Sequence, residues 1–211
     1  MKHMYQQISH AFLTLVMTGA LVLTQGAVAA EPAAKASKSP QELVEQVTKD
    51  LFASVKTNSA AGKKDAYYSD VERILDTVVD FPFIAKAVMR KSAKNATPEQ
   101  VEKFTQVFKS GLIKTYAKGI ANYADSPIKT LPSTAAADAR RVSVDQEVID
   151  KGNTHKLSYT MALNKAGEWK LINVVLNGVN LGDSFTSQFD QAMIKNANDV
   201  DKVIASWLSS T

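Results

Sequence analysis

Three features of this 211-residue chain predict an α+β fold. Apolar residues recur every three or four positions from Pro40 to Tyr123, alternate with polar ones beyond Pro127, and return to helical spacing after Gly178. Helices, then an antiparallel meander, then further helices imply several helices packed on a small antiparallel sheet.

The first helix is predicted from Pro40 to about Val55, where Leu43, Val47, Leu51 and Val55 share one face that Val44 and Phe52 widen. A polar break from Asn58 to Lys64 ends it. Ser69-Asp70-Val71-Glu72 has capping-box spacing, and Val71, Ile74, Leu75 and Val78 continue a helical stripe, so a second helix is expected there. Asp80-Phe81-Pro82-Phe83 restarts the chain, because proline is tolerated in a first turn but not in a helix interior. Ile84, Ala87 and Val88 then make a short third helix. Thr97-Pro98-Glu99-Gln100 combines a capping hydroxyl, an early proline and a glutamine three residues on. Behind it Val101, Phe104, Phe108, Leu112, Tyr116, Ile120 and Tyr123 make one heavily aromatic face of a helix about seven turns long.

Strands follow. Val142, Val144 and Val148 alternate with polar residues, and Asp150-Lys151-Gly152-Asn153 supplies turn chemistry. Leu157, Tyr159, Met161 and Leu163 alternate cleanly up to the turn Asn164-Lys165-Ala166-Gly167. Trp169 to Leu176 is apolar on both faces, as in a strand covered on both sides or lying beside a helix. A fourth strand is expected near Ile128 to Leu131. Asn177-Gly178-Val179-Asn180 breaks the meander and leads into Phe185, Phe189 and Ile194, then Val200, Val203, Ile204 and Trp207 on a last helix.

Residues 1–30 read as a signal peptide, with Lys2 before an apolar run from Ala11 to Leu23 and the small residues Ala27 to Ala30 for cleavage after Ala29 or Ala30. The run is broken by Thr14, Thr18, Gly19, Thr24 and Gln25 and falls short of the roughly 20 residues a spanning helix needs. Export to the periplasm is the expectation, followed by a flexible lead over 31–39 and a single domain over 40–211. Removing the segment takes one lysine from 25 basic residues facing 21 acidic ones. The mild, dispersed positive excess offers no concentrated footprint for nucleic acid. With no cysteine, neither disulfides nor thiolate chemistry are available.

Catalytic signatures are missing. His3 and His10 fall in the signal peptide, and His155, beside a predicted hairpin turn, lacks the partners of a dyad or metal cluster. There is no Gly-x-Ser-x-Gly elbow, phosphate loop, dinucleotide glycine pattern or His-Glu-x-x-His. Asp70, Asp76, Asp80 and Asp145 are the acids that an acid/base pair would draw on, but each also suits a cap or a solvated face. No catalytic residue, metal or cofactor is assigned. The positive signal is the apolar face of the long helix opposite inward strand positions that are all apolar or tyrosine, which fits an ordinary packed core or the lining of a ligand pocket.

Val79-Asp80-Phe81, Ile84-Ala85, Val88-Met89 and Ala96-Thr97-Pro98-Glu99-Gln100 with the Phe104-to-Tyr116 face resemble the MlaC family, the toluene-tolerance auxiliary proteins. Trp169 to Val174, Asn177-Gly178-Val179-Asn180-Leu181, Gln188-Phe189 and the run from Val203 to Leu208 extend the resemblance over nearly all of the chain after the signal peptide. It implies a curved sheet of the nuclear transport factor two-like kind enclosing an apolar cavity, and a periplasmic carrier with phospholipid as cargo. The implied partners are an outer-membrane lipoprotein complex and an inner-membrane ABC transporter with an MCE-type subunit, between which lipid moves to maintain outer-membrane asymmetry. Lining is expected from Phe104, Phe108, Leu112, Tyr116, Val144, Leu157, Tyr159, Met161, Trp169 and Leu171, in a pocket larger than most drug-sized sites. Arg90, Lys91, Arg140 and Arg141 are candidates to meet a phosphate at the mouth. The chain departs from the family where Met89-Arg90 replaces the usual Leu-Gly and where Asn173, Asn177 and Asn180 replace Asp, Glu and Ser. The competing readings are an enzyme on the same cone-shaped fold and an interaction or chaperone-like module with a filled core.

Overall fold

The computed structural model describes residues 38–58, 63–136 and 138–207. The expected signal peptide and residues 31–37 of the expected lead lie outside the described residues. In chain order the elements are α1 (Pro40–Asn58), α2 (Lys64–Val78), α3 (Phe81–Met89), the single turn α4 (Ser92–Asn95) and α5 (Pro98–Asn122). Strands β1 (Ile128–Thr130), β2 (Arg141–Asp150), β3 (Asn153–Leu163), β4 (Trp169–Leu176) and β5 (Val179–Asn180) follow, then α6 (Leu181–Lys195) and α7 (Val200–Trp207). The strands form one open antiparallel sheet in sequence order. This is the α+β arrangement of helices, meander and helices that the changes of period predict.

Local chemistry explains the boundaries. Thr97 and Gln100 form the expected capping box, with the Thr97 hydroxyl accepting from the Gln100 amide and the Gln100 side chain accepting from the Thr97 amide. Ser39 and Glu42 make the same reciprocal pair at the start of α1, and in both cases proline occupies the first helical position. The expected capping box at Ser69 is not formed, because α2 begins five residues earlier at Lys64 and Ser69 lies inside it. Asp80 caps α3, accepting from the Phe83 amide at 3.0 Å. The β2–β3 and β4–β5 turns each place two successive residues at positive φ, Lys151-Gly152 and Asn177-Gly178, which is the pattern whose twist matches that of the flanking strands.

Three buried apolar clusters result among the described residues, one of them joining Leu51 of α1, Tyr67, Val71 and Ile74 of α2 and Ile113 and Ala117 of α5. Phe104, Phe108, Phe185, Phe189 and Trp207 close an aromatic cluster between α3, α5, α6 and α7, with Phe104 against Phe189 at 5.0 Å and against Trp207 at 5.1 Å between ring centroids. A third layer joins Val44 of α1 and Val78 of α2 to Val144 and Met161 on the inner face of the sheet. One inward position breaks the expected rule: Gln146 of β2 is buried, satisfied by the Thr48 hydroxyl at 3.3 Å and by its own donation to Thr130 at 3.2 Å. It ties α1 to β2 and β1, and a buried amide is tolerated because both its ends are bonded. Ile194, read as part of an apolar stripe, is instead exposed on α6. Val79 bridges to Leu171, and the Asp80 amide donates to the Leu171 carbonyl at 3.0 Å, which fixes the α2–α3 elbow against β4.

Candidate functional site

Between the helices α1, α2, α3 and α5 on one side and β3, β4 and the first turns of α6 on the other lies a pocket of about 270 Å³. Its lining is aliphatic and aromatic: Val44, Val47 and Leu51 from α1, Val71, Leu75 and Val78 from α2, Leu112 and Ile120 from α5, and Leu157, Leu171 and Leu176 from the strands. Among the described residues no Asp, Glu, Lys, Arg or His lines it, and the polar side chains on its wall are Thr48, Tyr116, Tyr159 and Asn173. Burial pushes the phenols of Tyr159 and Tyr116 above their ordinary values, so both stay protonated at neutral pH.

Of the residues singled out in the sequence, Phe108, Leu112, Tyr116, Leu157, Tyr159, Met161 and Leu171 meet at this pocket. Phe104 does not reach it; the ring is fully buried in the aromatic cluster. Val144 sits behind Met161 in the sheet-facing layer, and Trp169 packs against that layer at the start of β4. None of Arg90, Lys91, Arg140 and Arg141 lines the pocket. The volume falls below the ~300–1,000 Å³ usual for drug-sized sites, not above it as expected, with the bulky Phe108, Tyr116, Tyr159 and Phe185 among the side chains that line it.

The candidate acids have other work. Asp70 accepts from Asn58 at 2.8 Å and from Arg73, contacts that hold its carboxyl below the ordinary value and link α1 to α2. Asp76 and Glu72 share Lys109, which binds them at 2.7 and 2.8 Å and joins α2 to α5 along the outer side of the pocket. Asp145 accepts from Ser143 and Ser158 on the outer face of the sheet. His155 rests against the Tyr123 ring and the Asn177 amide. Among the described residues no cluster of His, Asp or Glu is placed to hold a metal ion, and no helix is long and apolar enough to cross a membrane.

Sequence reasoning missed α1 and α2 as pocket walls, along with Asn173, Gly182 and Phe185. Asn173 accepts from the Gly182 amide at 3.1 Å, and a Cβ on Gly182 would lie 2.7 Å from the Asn173 side-chain oxygen, so a larger residue there would push that side chain aside and disturb the bond that ties β4 to α6. Asn180 caps α6 by accepting from Asp183 at 3.3 Å, and Asn177 tolerates positive φ while accepting from the Lys156 amide. Each asparagine that departs from the family pattern therefore has a structural role at the β4–α6 corner. Their Asx turn chemistry was legible; the register that brings Asn173 to Gly182 was not.

Comparison with known proteins agrees with the geometry. The family model described as MlaC protein matches residues 45–209. The toluene tolerance protein ttg2D of Pseudomonas putida is 37% identical over 176 residues, 82% of this chain and 81% of the relative. The intermembrane phospholipid transport system binding protein MlaC of Haemophilus influenzae is 26% identical over 174 residues, covering 80% of this chain and 78% of its own. Among solved structures, a phospholipid-binding protein from Ralstonia solanacearum in complex with a phospholipid superposes with a TM-score of 0.74 at 26% identity, over 82% of this chain and 96% of that one. Spanning the three apolar clusters and every wall of the pocket, the match shows that this chain belongs to the MlaC family.

Proposed function

We propose that this protein is a periplasmic phospholipid carrier that takes acyl chains into the pocket between α5 and the sheet and shuttles them between an outer-membrane lipoprotein complex and an inner-membrane ABC transporter with an MCE-type subunit. The observation that carries this reading is the uncharged lining. Among the described residues the wall offers apolar contact on every side and no carboxylate, imidazole or amine to run acid/base chemistry. A diacyl lipid exposes about 30 methylenes, so at ~0.8 kcal/mol each its escape into water costs on the order of 25 kcal/mol, and an apolar container is what transfer across an aqueous gap requires. The relatives named for phospholipid transport and phospholipid binding support the same cargo.

Loading requires the walls to part, since about 270 Å³ is too little for two acyl chains. The helical side is tied to β4 by the Asp80–Leu171 backbone bond, and away from that elbow side-chain packing can re-form around a chain. Native mass spectrometry of the protein purified without detergent, followed by lipid extraction, tests the reading: a stoichiometric added mass of phospholipid is expected. An unloaded protein that also refuses phospholipid offered in vesicles would favour an interaction module, and turnover of the lipid would favour an enzyme.

A further inference from the structure

Tyrosines at the edge of this pocket are treated in two ways. Tyr67, on α2, sends its hydroxyl across to the Ala117 carbonyl of α5 at 2.7 Å, and its phenol is pushed up to about 12, mainly by burial. Tyr159 stands in the middle of β3, opposite Val144 on β2 and Val174 on β4. Its ring lines the pocket, yet its hydroxyl has no hydrogen-bond partner among the described residues. No sealed side-chain oxygen or nitrogen among the described residues is left without a partner, so the Tyr159 oxygen keeps accessible surface, and the residue that carries it lines the pocket. Of the other polar wall groups, Thr48 is bonded to Gln146 and Asn173 to the Gly182 amide. Tyr116, whose hydroxyl likewise has no hydrogen-bond partner among the described residues, also borders a second recess beside Thr115 and Gln188, which leaves Tyr159 as the unpartnered hydroxyl confined to this pocket.

A protonated phenol in an apolar wall is a donor that gains most from a neutral acceptor. A phosphate would need cations, and none lines the pocket. Acyl chains carry no acceptor along their length; the acceptor they bring is the ester carbonyl where they join glycerol. Resting on the carrier reading, we propose that Tyr159 is a positioning residue that donates to an ester carbonyl of the bound glycerolipid, sets the depth at which the chains sit, and makes the pocket prefer ester-linked to ether-linked lipid.

The test is a two-by-two comparison of wild type and Tyr159→Phe with dioleoyl phosphatidylcholine and its diether analogue, which has the same chains and headgroup but no carbonyls. Affinities are measured by competition against a fluorescent phospholipid. Wild type is expected to bind the diester about tenfold more tightly than the diether, as one net hydrogen bond implies, and Tyr159→Phe to bind both at the diether level. Equal affinities in wild type, or discrimination that survives in Tyr159→Phe, would overturn the assignment while leaving the carrier reading intact. Failure of wild type to bind either lipid would instead count against the carrier reading. Thermal unfolding of the lipid-free proteins supplies the control. Tyr159→Phe removes an oxygen with no protein partner and should unfold no earlier than wild type, whereas a clear fall in Tm would mean that the hydroxyl is bonded within the protein and would also overturn the proposal.

Discussion

Along a single helix, α5, the same kind of apolar face meets two different surroundings. Its first half, carrying Phe104 and Phe108, is met by Phe185, Phe189 and Trp207 from α6 and α7, whose rings interlock edge to face. Its second half, carrying Leu112, Tyr116 and Ile120, faces the aliphatic side chains of α1, α2 and β3 across the pocket, with Phe108 and Phe185 at the boundary and Leu112 and Tyr116 also touching the aromatic cluster. The facing elements make the difference. Aromatic rings reach far enough to fill the gap between helices, whereas branched aliphatic side chains on helices and on a twisted sheet stop short of one another. Hydrophobic spacing identifies a face that avoids water and leaves open whether protein or ligand covers it.

The comparison is broken or sharpened most sharply by charge. Met161 and Leu157 both face inward on β3, four residues apart, yet Met161 is fully buried among Val44, Val78 and Val144 while Leu157 keeps part of its surface on the pocket. Met161→Arg places an unpaired charge in packed protein and should destabilise by more than about 4 kcal/mol, with loss of cooperative unfolding by circular dichroism. Leu157→Arg can carry its charge out through the pocket, so the fold should survive with a loss of about 1–2 kcal/mol while phospholipid loading falls. Equal collapse of both variants would mean that the two surroundings are energetically alike.

Truncation gives the next effect in size. Phe104→Ala removes a ring with neighbours on every side and should cost ~3–5 kcal/mol in urea unfolding. Leu112→Ala, two turns along the same helix, removes contacts on the protein side only and should cost about 1 kcal/mol. A cost for Leu112→Ala close to that of a packed leucine, ~2–5 kcal/mol, would place it in a core.

Much of this was legible in the sequence, for reasons that differ by element. The helix from Pro98, the turns at Gly152 and Gly178 and the three long strands rest on local chemistry, namely a capping box, positive-φ residues and period-two alternation, and the structure forms them where that chemistry lies. The capping box read at Ser69 failed because α2 gains more from extending its buried face back to Tyr67 than from a cap. Gln146 was overlooked because a polar residue within an alternating strand reads as outward, and only the approach of Thr48 from α1, 98 residues away, satisfies it. The pocket walls were half visible for the same reason. β3 and α5 announce their apolar faces, but which face of α1 and α2 meets them depends on long-range packing that no local pattern encodes. Phe104 and Phe108 lie one turn apart on one stripe, and only the placement of α6 and α7 separates a core residue from a pocket residue.

The smallest effect bears on the helix that serves both surroundings. α3 gives Phe81 and Ile84 to the pocket and Ala85, Val88 and Met89 to the aromatic cluster, and it ends at Arg90 with φ 50° and ψ −121°. That conformation suits glycine, and an L side chain in it is strained. Arg90→Gly should therefore stabilise the protein by about 1 kcal/mol despite the added freedom of the unfolded chain, and raise Tm by roughly 2–4 °C. Arg90→Ala keeps the strain and should show no such gain. Both variants remove the guanidinium, so phospholipid loading separates backbone from side chain. If the two load like wild type, Arg90 is a backbone liability tolerated at the boundary between the two regions. If both lose loading while only Arg90→Gly gains stability, the strained backbone holds a cation that acts on the headgroup outside the pocket wall.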